Sequence, residues 1–192
     1  MKLNIIALAM AVATALVPGC ASGPVATTNA AQASAADISS RSRTALKSLY
    51  ASDSRAKSLG RNAKAVLVFP EILRGGFVIS GQGGNGTLFT GDGKVDSYYQ
   101  SFAASYGFEA GVQKFGYALF LMDDDAIQNL KSSKGWELGS APNLTVLDKG
   151  TAGNISTATM DKGTVAMFFD QRGLMGGVSL QTSKITRIYP GP

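Results

Sequence analysis

The chain has 192 residues, with 18 Lys and Arg against 13 Asp and Glu, one Cys, no His and 45% hydrophobic residues. Without an imidazole it cannot build a Ser-His-Asp or Cys-His nucleophile system, or a His-ligated zinc, copper or haem site; a single Cys excludes disulfides within the chain and thiolate clusters. Length and hydrophobic fraction are those of one globular domain of about 100–200 residues, and the net charge of +5 permits an anionic partner without naming one.

Met1-Lys2 is followed by an apolar run over residues 3–16, the pattern of a secretory signal. The run is shorter than the roughly 20 apolar residues of a membrane span, and it stops at Val17-Pro18-Gly19-Cys20. Small residues before a lone Cys resemble the bacterial lipobox, in which the Cys becomes the mature N-terminus and carries acyl chains, palmitate among them. The expectation is a signal peptide over 1–19 and lipidation at Cys20. Two or more acyl chains anchor a protein stably, whereas one is marginal. Ala21-Ser22 after the Cys, rather than an Asp, favours the outer membrane, with the domain facing the periplasm. Residues 21–36 contain no charge and no large apolar side chain, so 20–37 reads as a flexible linker with an r.m.s. reach on the order of 20 Å.

The folded part is expected over 38–192. Ile38, Ala45, Leu46, Leu49 and Tyr50 recur at helical spacing, with Asp37 as cap candidate. Ser52-Asp53-Ser54 breaks this helix and starts a second that Gly60 would end. Ala65-Val66-Leu67-Val68-Phe69 reads as a buried strand stopped by Pro70, and short strands follow at 77–80, 87–90, 95–99 and 117–122, separated by turns such as Gly91-Asp92-Gly93. Asp123-Asp124-Asp125 opens a helix near 123–134, with Ala126, Ile127 and Leu130 on its apolar face. Further strands are predicted at 144–147, 164–169, 178–180 and 185–189. The fold class is α+β: an antiparallel, strongly curved sheet, barrel- or sandwich-like, with an N-terminal helical segment and one later helix.

Three short patterns suggest chemistry, and their context argues against each. Gly81-Gln82-Gly83-Gly84-Asn85-Gly86 matches G-x-G-x-x-G, but a strand follows where a dinucleotide site needs a helix N-terminus; a glycine hairpin is expected. The three aspartates at 123–125 suit a helix start, where carboxylates meet unsatisfied amides, better than a metal site. Ser54-Arg55-Ala56-Lys57 fits S-x-x-K without the companion motifs of penicillin-recognising enzymes. No metal, cofactor or catalytic residue is expected, and the chain reads as a non-enzyme.

The segment 41–64 is more informative. Arg41, Arg43, Lys47, Arg55, Lys57, Arg61 and Lys64 lie there with Asp53 as the one acid, so it carries more net charge than the whole chain. A basic, partly amphipathic helical stretch suits anionic headgroups, each Lys or Arg contributing roughly 1 kcal/mol at a negative membrane. A solvated helix face is the competing reading. Nucleic acid is not expected as the partner of an exported lipoprotein.

The strand beginning Ala65-Val66-Leu67-Val68-Phe69-Pro70, followed by Gly75-Gly76-Phe77, resembles the opening of the SYLF-domain family of lipid-binding proteins. The resemblance continues in order through Ser105-Tyr106-Gly107-Phe108-Glu109-Ala110-Gly111, the block Gly135-Trp136-Glu137-Leu138-Gly139, and Gly173-Leu174-Met175-Gly176-Gly177-Val178-Ser179-Leu180. It implies binding of membrane phospholipid, with anionic or phosphoinositide-like headgroups, through an N-terminal basic helix, and makes the seven basic residues candidate headgroup contacts. A structural or adaptor lipoprotein binding another envelope protein is the alternative.

Overall fold

The computed structural model describes residues 33–132, 136–137, 144–147, 162–173 and 183–192, and only the backbone of 77–79 and 105–110. The expected signal peptide, Cys20 and the strand at 178–180 lie outside the described residues. Helix α1 (Ala35–Ser52) starts earlier than Ile38 because Ser34 is its cap. The Ser34 Oγ accepts from the Asp37 N–H at 3.1 Å and donates to the Asp37 carboxylate at 3.0 Å. Asp37 thus sits in the first turn, where its charge meets the positive end of the helix dipole, and a Ser three residues before an acid closes a reciprocal cap. The same shift takes residues 35–37 out of the expected linker.

Asp53 ends α1 and caps helix α2 (Ser54–Asn62), accepting from the backbone N–H groups of Arg55 and Ala56 at 2.8 and 3.3 Å. Gly60 does not end α2 but lies inside it. A Cβ there would come within 2.1 Å of the Tyr50 hydroxyl, so a missing side chain lets α1 rest on α2.

The strands expected separately before and after the Gly91 turn are two long ones, β1 (Ala65–Thr90) and β2 (Val95–Leu121), paired antiparallel along their length. Gly93, at φ +79°, makes the turn between them. Pro70 does not stop β1: the register slips between Phe69 and Ile72, and a bulge tolerates the missing amide N–H. Nor is 81–86 a hairpin. These residues run within β1, opposite 99–104 of β2. Two of the glycines are there for curvature: a Cβ on Gly84 would stand 2.2 Å from the Glu71 carbonyl oxygen, and one on Gly86 would stand 2.5 Å from that of Val68. The late half of β1 therefore lies directly on its own early half, and the hairpin curls into a trough.

Helix α3 (Asp124–Ser132) follows, then β3 (Trp136–Glu137), β4 (Leu144–Leu147), β5 (Thr164–Gly173) and β6 (Lys184–Ile188). Among the described residues the six strands form one sheet, in the order β3-β6-β2-β5-β4 with β1 also on β2. Every pairing is antiparallel except β4 with β5, so the curved α+β sheet is mixed. Where β5 passes Gly116 of β2, the Phe169 ring covers the glycine.

The sheet separates two cores. On the convex face Leu49, Ala56 and Leu59 of the helices pack on Val66, Val68, Phe89, Ala118, Phe120 and Met167. On the concave face Leu67, Phe69, Ile72, Leu88, Tyr99, Phe115 and Tyr117 pack together with Leu130 of α3 and Trp136.

Candidate functional site

The helical layer carries six of the seven basic candidates, with Lys64 between α2 and β1, and its packing sorts them. Ile38, Ser42 and Leu49 of α1 are buried, so the positions either side of that stripe border the sheet. Arg41 lies on one border and pairs with Glu71 at 3.4 Å; the same carboxylate takes Lys114 of β2 at 2.7 Å. Arg43 lies on the other, donating to the Gly93 carbonyl at 3.2 Å with its guanidinium 4.9 Å from the Phe89 ring centre. Between them the Ser42 hydroxyl donates to the Val68 carbonyl at 3.2 Å. α1 is thereby held along both edges, and its apolar face is used inside the domain.

Arg55 turns back on Asp53, its Nη2 2.9 Å from the carboxylate. That hydrogen bond, with the two capping amides, holds the Asp53 carboxyl below its ordinary value against the opposing effect of burial. Lys64 pairs with Asp124 at the start of α3. Lys47, Lys57 and Arg61 remain: all three are exposed, and none of their side chains has a hydrogen bond or ion pair with another described residue. Lys57 and Arg61, four residues apart, share the outward side of α2, opposite buried Ala56 and Leu59. Lys47 lies across α1 from its buried stripe.

The aspartates at 123–125 act as a helix start. Asp123 accepts from the Ala126 N–H and, across the fold, from the Gly163 N–H, each at 2.8 Å. The backbone donors, Gly163 first, hold its carboxyl below the ordinary value. A cleft of about 260 Å³ lies beside α3, lined by Asp123, Asp125, Gln128, Asn129, Trp136 and Thr164 among others. Among the described residues no three acidic or Cys side chains gather as a metal-ligand set.

Sequence reading missed a group of polar side chains on the concave face. Tyr99, Ser101, Gln113 and Tyr117 are buried, with the Tyr99 and Tyr117 hydroxyls, Ser101 Oγ and Gln113 Oε1 lacking hydrogen-bond partners. Burial pushes the Tyr117 phenol up, opposed by the nearby Ser101 hydroxyl, which faces it without hydrogen-bond geometry. Strand alternation puts Tyr99 and Ser101 on one face, but only the curl brings Ser101 to Tyr117.

No curated relative matches the chain. Residues 102–188 match the family model described as "Ysc84: Las17-binding protein actin regulator". The match runs from within β2 to the last residue of β6, leaving α1, α2 and the seven basic residues outside it. Together with the ordered motifs at 105–111, 135–139 and 173–180, this match supports assignment of residues 102–188 to the SYLF-domain (Ysc84) family.

Proposed function

We propose that the protein is a lipid-anchored component of the bacterial envelope whose SYLF domain binds anionic membrane lipid with the outward side of α1 and α2. The observation that carries this reading is the division of the seven basic residues. Arg41, Arg43, Arg55 and Lys64 are engaged with groups of the domain itself, whereas Lys47, Lys57 and Arg61 are exposed without described partners. Three outward cations on a docked helical layer suit a negative surface; the headgroups are anionic or phosphoinositide-like. Lipidation of Cys20 and an outer-membrane position facing the periplasm belong to the same reading, which rests there on the sequence pattern of residues 1–22.

Vesicle co-sedimentation of the mature chain, starting at residue 20 with Cys20→Ser, tests the headgroup role. Vesicles containing phosphatidylglycerol should pull down the chain and pure phosphatidylcholine should not. With roughly 1 kcal/mol per cation, the triple variant Lys47→Glu, Lys57→Glu, Arg61→Glu should bind at least about 100-fold more weakly, and salt should weaken the parent chain. Equal binding by the triple variant would refute the assignment. Loss of acyl labelling in Cys20→Ala cells tests the anchor.

A second reading, an adaptor for another envelope protein, is supported by the uncovered outer side of the hairpin, where Phe102 and Val112 are exposed. The family description also names a binding protein. Crosslinking in intact envelopes, with no vesicle binding, would favour it.

A further inference from the structure

The segment leading into α1 and the residues after β6 meet: the Ala35 N–H donates to the Gly191 carbonyl at 2.9 Å. β6 reaches that point along β2, with Ile188 opposite Tyr98, so Tyr189 emerges at the end of the domain where the β1–β2 turn lies. α1 crosses the same turn, where Arg43 holds Gly93. Two exposed apolar side chains lie on this edge: Tyr189 is 85% exposed and Val95, three residues before Tyr98, is 39% exposed. The Arg187 guanidinium stands over the Tyr189 ring, 5.3 Å from its centre. The acids of the edge are neutralised or hydrogen-bonded locally: Asp92 by Lys94 at 2.7 Å, Asp96 by Lys131 at 2.8 Å, Asp37 by Ser34.

We propose that this edge, made by Val95, Arg187 and Tyr189 beside the start of α1, is where the domain seats on a lipid bilayer. The inference rests on the membrane reading above and adds which end of the domain enters the headgroup layer. An aromatic ring with a polar tip and an arginine against its face has the chemistry of the membrane–water boundary, where the ring meets acyl chains and the hydroxyl and guanidinium meet phosphates. Two exposed apolar side chains are too little for a stable protein interface of about 800 Å² per partner. Seating here also places the start of α1, at Ala35, beside the membrane.

The mature chain with Cys20→Ser and Tyr189→Cys has a single thiol, which can carry an environment-sensitive fluorophore. A matched chain carries the label at Val112→Cys, in the middle of the hairpin. On phosphatidylglycerol vesicles containing spin-labelled lipid, the label at 189 should shift to the blue and be quenched about threefold more than that at 112. The unlabelled double variant Val95→Ser, Tyr189→Ser should bind these vesicles about fivefold more weakly at an unchanged melting temperature, since both side chains are exposed. Sedimentation of the labelled chain with equal quenching at 189 and 112 would overturn this seat and leave the membrane reading standing. Failure to sediment would overturn both. A blue shift at 189 without vesicles would assign the edge to a second copy of the chain instead.

Discussion

On the convex face Val66, Val68, Phe89, Ala118 and Phe120 are covered by a separate layer, α1 and α2; on the concave face Leu67, Phe69, Ile72, Leu88 and Tyr99 are covered by the same two strands folding over themselves, together with Leu130 and Trp136. A separate layer can be adjusted one side chain at a time. At its interface the Ser42 hydroxyl reaches the Val68 carbonyl, and Arg41 and Arg43 fasten the two edges. A sheet that covers itself has fewer options. It needs positions without a side chain, Gly84 and Gly86, and it fixes Tyr99, Ser101 and Tyr117 where their hydroxyls find no partner.

The largest expected effect tests the self-covered side. Gly84→Ala would force a methyl against the Glu71 carbonyl and should destabilise the domain by about 3 kcal/mol or prevent folding. Gly75→Ala, in the same strand, would meet only the Val112 side chain at 3.6 Å and the Gly111 carbonyl at 3.7 Å, and should change stability by less than about 1 kcal/mol. Equal urea midpoints for the two variants would mean that the curl is not as tight as described. Next comes Leu59→Ala, which opens a cavity between the helical layer and the sheet; it should cost about 2–3 kcal/mol in the same assay.

Smaller effects separate the polar groups of the two faces. Asp53→Ala removes the α2 cap and should cost about 1 kcal/mol at neutral pH. Because the folded-state pKa of Asp53 is lowered, its contribution is fully present above the ordinary value of 3.8 and is lost as pH falls through the folded pKa. The difference between parent and Asp53→Ala should accordingly shrink only in acid below that value; a difference that vanishes near pH 6 would contradict the pairing with Arg55. Smallest and most diagnostic is a comparison of single oxygens. Ser42→Ala loses a hydrogen bond to Val68 and should lower stability by about 1 kcal/mol, whereas Tyr117→Phe removes an unpartnered buried hydroxyl and should raise it by up to about 1 kcal/mol. If both changes destabilise alike, Tyr117 has a partner in solution.

Composition, periodicity and turn residues were enough to read the class of the fold, the break at Asp53, the turn at Gly91-Asp92-Gly93 and the helix begun by Asp123. Each of these depends on residues adjacent in sequence. The continuity of β1 through Pro70 and through 81–86 was not legible, because a bulge and a close backbone approach are set by what lies across the fold. The cap at Ser34 was not legible, since Ser and Asp both cap helices and only the hydrogen bonds between Ser34 and Asp37 show which of them starts α1. The basic surface was legible as a cluster but not as a division. Which cations are held by Glu71, Asp53, Asp124 or Gly93 depends on contacts as far apart as Lys64 and Asp124.

The hydrogen bond between Ala35 and Gly191 has a mechanical meaning. A load arriving through the segment that precedes α1 acts first on that bond and then on α1, whose hold on the sheet consists of side-chain contacts that can open in turn, like a zip. The β1–β2 ladder follows α1 and α2 in the chain, so such a load reaches it only through the helical layer. Were the chain anchored at Cys20 as proposed, tension would therefore load the helical layer before the sheet.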